Sequence, residues 1–289
     1  MSTPMSPFRH TGDEFSPAQW GRAWAVHLFT TLGIVAAMLA LRDVLVGNAK
    51  HAIVWLLLTL LIDGIDGPIA RALEVERRVP LIDGFMLDLI IDYVTCVIVP
   101  ACFMYEFNVV PQNNFGVFVL CVLVFCSAIW FARKDMMTED NWFRGHPAAW
   151  NLVGPLLFLL QAKTWVGAVL VLILSLLCLS NMPYPHIARA RWMRYYTWTA
   201  TVFWMGGIAA GTLTLPHHYL VPQVLMYAGS GYFILLAVLR SLHDRNLRRS
   251  GGEVAPVHGL GDTTSDTTSD TTPDDAAAPS EVGSAAERR

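Results

Sequence analysis

Eight apolar runs, each about long enough to cross a bilayer, leave this chain few ways to fold. They fall at about 23–41, 52–73, 84–106, 114–132, 147–162, 164–182, 196–214 and 219–240. A run of roughly 20 apolar residues matches about 30 Å of hydrocarbon and reads as a transmembrane helix. The expected fold class is therefore all-α, a polytopic membrane protein with about eight transmembrane helices. Composition agrees, with 54% hydrophobic and 15% charged residues, against about 25% charged in soluble proteins. Mean hydropathy is +0.44.

The flanks differ from this body. The opening residues lack a charged stretch followed by an apolar one, so no cleavable signal is expected and the first span serves as its own insertion signal. Ser16-Pro17 is a helix start, with Ser as N-cap and Pro at the first helical position. Trp20, Arg22 and Trp24 suit a short interfacial helix leading into the first span, so residues 1–22 are expected to form an N-terminal interfacial segment. Residues 23–249 are the transmembrane domain. Residues 250–289 carry a DTTS repeat and almost no large apolar side chain. They are too polar to bury a core and are expected to be a disordered acidic tail. The five cysteines all lie in apolar runs without a CxxC pair and read as small buried hydrophobes.

Orientation follows from Lys and Arg, which concentrate on the cytoplasmic side. Arg9 and Arg22, Arg77 and Arg78, Arg133 to Arg144, Arg189 to Arg194, and Arg240 to Arg249 fall in one set of loops. The opposite set holds only Arg42, Lys50 and Lys163. Both termini and the loop between spans two and three are then cytoplasmic.

That loop adjoins the most demanding stretch of the chain. Asp63, Asp66, Asp88 and Asp92 lie within spans two and three. A carboxylate at membrane depth costs roughly 2.5–3.5 kcal/mol on insertion scales unless it is paired or bound to metal. Asp63 and Asp66, three apart, share one helix face, and Asp88 and Asp92, four apart, share another. Two facing helices then offer an all-oxygen cage, suited to Mg²⁺ or Mn²⁺ and roomy enough for two ions. Gly64, Gly67, Ala70 and Gly84 clear side chains from the same region, although packing between helices also explains Gly64 and Gly84. Arg71 is placed for a pyrophosphate, with an ion pair to Glu74 as the alternative. Metals, a guanidinium and a cleared groove fit a phosphoanhydride substrate, with a free carboxylate to take a proton from an attacking hydroxyl.

The string Asp63-x2-Asp66-Gly67-x2-Ala70-Arg71-x12-Gly84-x3-Asp88-x3-Asp92 resembles the motif of the CDP-alcohol phosphotransferases. Twelve residues separate Arg71 from Gly84, where most members have eight. The longer spacer is similar to that of the family's bacterial, choline-using branch, as are the stretches Asp140 to Asn151 and Tyr184 to Arg194. The resemblance implies transfer of the phosphatidyl group of CDP-diacylglycerol to choline with release of CMP, in the bacterial inner membrane. It implies that Asp63, Asp66 and Asp88 hold metal, and that Asp92 joins them and is also the catalytic base. It implies that Gly67, Ala70, Arg71 and Gly84 bind the CDP group. His27 stands where the family has a nucleotide-contacting Asn, so from that stretch only Thr30 is carried over as CDP-binding.

Choline carries a quaternary ammonium, which aromatic faces and carboxylates hold. Tyr93, next to the base, and Trp150 with Asn151, where a polar residue enters a span, are the candidate choline contacts. Most aromatics at such positions serve instead as interfacial belt or core. The expected partners are these substrates and membrane lipids, with a homodimer compatible and no nucleic acid indicated. Serine or another small alcohol is the alternative acceptor. A cation transporter also uses intramembrane carboxylates, but these cluster toward one face, and paired broken helices are absent.

Overall fold

In the computed structural model the described residues are 16–138, 140–186 and 193–249. The expected interfacial stretch before Ser16 and the acidic tail from residue 250 lie outside them, as do Glu139 and residues 187–192.

The first span is one unbroken helix, α1 (Pro17–Leu45), and the expected interfacial residues Trp20, Arg22 and Trp24 lie within it. Ser16 and Gln19 close a reciprocal capping box: the Gln19 N–H donates to Ser16 Oγ at 3.3 Å, and the Ser16 N–H donates to Gln19 Oε1 at 2.9 Å. Asn48 caps α2 (Ala49–Ala72), which returns antiparallel along α1. Small residues on α1, Ala36, Ala37 and Ala40 among them, are fully enclosed, and they let the two backbones approach closely. A helical turn, α3 (Val75–Arg78), precedes α4 (Gly84–Asp92).

The helix of α4 continues through a π-helical turn, Tyr93–Ile98, into α5 (Val99–Glu106). Pro100 has no N–H to offer the carbonyl four residues back, which loosens the ladder there. Then come α6 (Asn114–Phe131), α7 (Trp150–Leu159), α8 (Thr164–Cys178), α9 (Arg194–Leu213) and α10 (Leu220–Arg249). Among the described residues, five helical stretches are long and apolar enough to cross a membrane: α1, α2, Gly84–Glu106, α6 and Leu220–Leu247 of α10. α7 and α8 are apolar but shorter.

The fifth apolar run shows why. It spans 147–162 in the sequence, yet α7 has only 10 residues. Backbone hydrogen bonds from Gly145 to the Met182 carbonyl (2.9 Å) and from His146 to the Leu177 carbonyl (3.1 Å) hold the preceding residues as a loop.

The tight turns gather at two ends. At one end Lys50 Nζ donates to the Leu213 carbonyl at 2.7 Å, and a small cavity is walled by Phe107, Asn108, Gln161 and His218. At the other end β1 (Trp142–Arg144) pairs antiparallel with β2 (Pro183–Pro185). Arg133 braces this ribbon through Asp135 and the Ser180 carbonyl. Arg240 of α10 reaches Asp140 at 2.6 Å and lies 5.2 Å from the Trp142 ring centroid. The core between the ends holds Phe103, Phe107 and Phe158 in mutual ring contact. Cys126 and Cys178 are buried as expected, whereas Cys102 and Cys121 are exposed on the outer faces of α5 and α6, and all five thiols are free.

Candidate active site

The site forms where α1, the end of α2, and the start of α4 converge. The three- and four-residue spacings put each aspartate pair on one face of its helix. Asp83 begins α4 by accepting the Met86 N–H at 2.9 Å, which fixes the orientation of Asp88 and Asp92 one and two turns on. Carboxylate oxygens of Asp63, Asp88 and Asp92 lie within 4.8 Å of one another. Asp63 is exposed; Asp88 and Asp92 are half-buried. Asp63, Asp88 and then Asp66 all bring negative charge to bear on Asp92. Such a cluster of hard oxygen donors fits a divalent cation, whose charge offsets the mutual repulsion.

Asp66 stands slightly apart from that trio. It is 5% exposed and lies near Thr30, whose hydroxyl donates to the Val26 carbonyl at 3.2 Å, and near the Gly67 backbone N–H and the Arg71 guanidinium. The sequence grouped it with the other three aspartates. The structure gives it neighbours of its own, beside the trio and not within it.

A cavity of about 720 Å³ opens next to these groups. Thr30 borders it from α1, Asp66, Gly67, Ala70 and Arg71 from α2, and Gly84 and Asp88 from α4. A Cβ at Gly84 would meet only His27 Cε1, at 3.4 Å, so the position is not closed by packing and glycine there widens the cavity. The Arg71 guanidinium folds back over Gly67, where an added Cβ would meet its Nη1 at 3.4 Å. Glu74 pairs instead with Arg78 at 3.5 Å.

Asp63 and Asp92 do not border this cavity, and neither do the three candidate choline contacts. The Tyr93 hydroxyl donates to the Val124 carbonyl at 3.1 Å, and its ring meets Phe131 edge-on. Trp150 is fully enclosed and donates its indole N–H to Ser127 Oγ at 2.8 Å. Asn151 is 1% exposed, with neither side-chain amide atom hydrogen-bonded.

The structure adds lining residues to which the motif assigned no role in the site. His27 is buried and lines the cavity, as do Glu74, Glu76 and Arg77 of the α2–α4 connector. The connector is held down by Val75 and Val79, which pack with Ala23, Val26, Trp24 and Ile82. The signal was present in the sequence: two valines four apart in an otherwise charged segment mark one buried helical face.

Outside the spans, burial pushes His146 down to about 4 and Tyr184 up to about 12. The Arg133 guanidinium beside Asp135 holds that carboxyl below its ordinary value.

Comparison with known proteins places this geometry. The profile of the CDP-alcohol phosphatidyltransferase family matches residues 24–205. A phosphatidylcholine synthase of Pseudomonas aeruginosa is 35% identical over 231 residues, covering 79% of this chain and 96% of the relative. A phosphatidylcholine synthase of Mesorhizobium japonicum is 35% identical over 200 residues, 68% of this chain and 74% of its own. One from Rhizobium johnstonii is 31% identical over 227 residues, 76% and 90% respectively. The matched region holds the aspartate cluster, the cavity and the connector, and the chain belongs to the CDP-alcohol phosphatidyltransferase family.

Proposed function

We propose that the protein transfers the phosphatidyl group of CDP-diacylglycerol to choline, giving phosphatidylcholine and CMP. The observation that carries this reading is the convergence of Asp63, Asp88 and Asp92 beside a cavity lined by Asp66, Gly67, Arg71 and Gly84. Relatives that match most of the chain bear the name phosphatidylcholine synthase, which supports choline as the acceptor.

Arg71, Gly67 and Ala70 bind and orient the pyrophosphate, and Gly84 leaves room for the nucleotide. Thr30 borders the cavity beside Asp66. Asp63, Asp66, Asp88 and Asp92 would hold Mn²⁺ or Mg²⁺, as one ion or a pair, which when bound would supply positive charge to offset that of the phosphoryl oxygens and the leaving phosphate. The choline hydroxyl oxygen forms a bond to the phosphorus that bears diacylglycerol. The anhydride P–O bond breaks, CMP departs with that electron pair, and Asp92 takes the hydroxyl proton. The excess of Lys and Arg at the ribbon and connector end supports placing this site and both termini on the cytoplasmic side of the bacterial inner membrane.

The purified protein, given CDP-diacylglycerol in micelles with Mn²⁺ and labelled choline, is expected to yield labelled phosphatidylcholine and CMP. Product with serine or inositol but none with choline would replace the acceptor. No CMP release with any alcohol would remove the transferase reading.

A further inference from the structure

Asn151, on the first turn of α7, is 1% exposed, and neither atom of its side-chain amide has a hydrogen-bond partner. Enclosed polar atoms are almost always satisfied, because an unmet one loses its water without compensation. The amide therefore points to a polar group on the element it faces. Gly154 identifies that element. The two residues are three apart on α7 and share a side, and a Cβ at Gly154 would lie 3.1 Å from Met104 Cε and 3.6 Å from Phe103 Cδ1. That side of α7 lies against α5. The two helices run the same way, since Phe107 and Gln161, just past their ends, wall one small cavity. One turn back from Gly154, Asn151 comes level with the start of α5 and the π-helical turn before it, which α7 also touches.

That turn has a polar group to offer. A helical carbonyl takes an N–H from the residue four further on, or five further on where the winding is π. For Thr95 those residues are Val99 and Pro100. The Val99 N–H donates instead to the Val94 carbonyl, and Pro100 has no N–H. The Thr95 carbonyl receives neither donor, in a residue only 3% exposed. On the other side of the same residue, the Thr95 hydroxyl donates to the Asp92 carbonyl at 3.4 Å. Thr95 thus links the base to the place where the ladder opens. A π-turn holds one residue more than an α-turn. Its winding sets the rotation of Asp88 and Asp92 about their axis relative to α5, which Phe103 and Met104 hold in the core.

We propose that Asn151 is a positioning residue for Asp92: its Nδ2 donates to a buried water that donates in turn to the Thr95 carbonyl, which keeps the π-turn wound as it is and the base aimed at the acceptor hydroxyl. This rests on the transferase reading above. A water that joins two enclosed polar groups serves nearly as well as a direct hydrogen bond. The role differs from contact with choline, because Asn151 does not border the cavity and acts on the reaction through the helix that carries Asp92.

The test uses the full-length protein with Asn151→Leu, which keeps the size and removes the amide, in two backgrounds: wild type and Pro100→Ala. The alanine supplies the N–H that the Thr95 carbonyl lacks. The kcat and the KM values for choline and CDP-diacylglycerol are measured, together with CMP binding. In the wild-type background Asn151→Leu is expected to lower kcat about tenfold, with both KM values and CMP affinity within twofold of their starting values. In the Pro100→Ala background, whatever its own activity, the same substitution is expected to cost less than threefold. An equal cost in both backgrounds overturns the proposal, because a general packing defect would not be relieved by one N–H at position 100. A kcat within twofold of wild type also overturns it, and so does a loss carried by the choline KM, which would make Asn151 an acceptor contact. Should Asn151→Leu fail to fold, Asn151→Ala gives the same readout, with the same outcomes deciding. A wild type that releases no CMP with any alcohol removes the transferase reading itself and this proposal with it.

Discussion

Asp92 sits among three other carboxylates. Asp63 and Asp88 have carboxylate oxygens within 4.8 Å of its own, and Asp66 adds its charge from slightly further off. It does not border the cavity, whereas Asp66 and Asp88 do. Asp92→Asn keeps the shape and removes the proton acceptor. Turnover is expected to fall at least about a hundredfold, the scale of general-base catalysis, while CMP affinity stays within a few-fold of wild type. Steady-state assay beside CMP binding checks this, and unchanged turnover would refute the role. At this scale the sequence was informative about residue type and spacing. It could not separate Asp66 from its three companions, because the Thr30 side chain and Arg71 guanidinium that lie near Asp66 come from a neighbouring helix and from a turn further along α2.

The element that distinguishes this chain is the α2–α4 connector. Its length was legible, and its structure was not. Twelve residues between Arg71 and Gly84 could as well have formed a loose loop. In the fold, Val75 and Val79, 4% and 3% exposed, press a turn of helix onto Ala23 and Val26 of α1. The same turn walls the cavity with Glu74, Val75, Glu76 and Arg77. Val79→Asp would bury an unpaired carboxylate at this contact, which favours release of the connector over burial of the charge. The expected result is faster trypsin cleavage after Arg77 and Arg78 and several-fold weaker CMP binding, with helix content by circular dichroism unchanged. A connector still protected from trypsin would mean that its anchoring does not depend on this pair.

Across the whole molecule, the end that carries the connector also carries the β-ribbon, and Arg240 ties α10 to it. His146 is sealed beneath the ribbon, with Trp150 and Tyr184 rings beside it, and burial lowers it from 6.5 to about 4. The unfolded chain therefore takes up a proton near pH 6.5 that the folded protein refuses until about pH 4. The stability contributed is full above pH 6.5 and is lost as the pH falls toward 4, amounting to about 2 kcal/mol between neutral pH and pH 5. Asp135, lowered by Arg133, has the same sign at more acid pH. Thermal unfolding in detergent is expected at lower temperature at pH 5 than at pH 7, and His146→Phe should flatten that dependence. An equal slope in the variant would clear His146 of it. The sequence by itself determined that the chain is a helical membrane protein with an acidic, glycine-cleared site on its second and third spans. Hydrophobic length and the cost of charge in lipid are properties of composition and spacing along one helix. Only the tertiary structure decided that α1 completes the cavity through His27 and Thr30, that the connector folds into its wall, and that Trp150 belongs to the core. Those outcomes depend on which side chains from distant segments fill the space between helices, and packing of that kind leaves no periodicity to read.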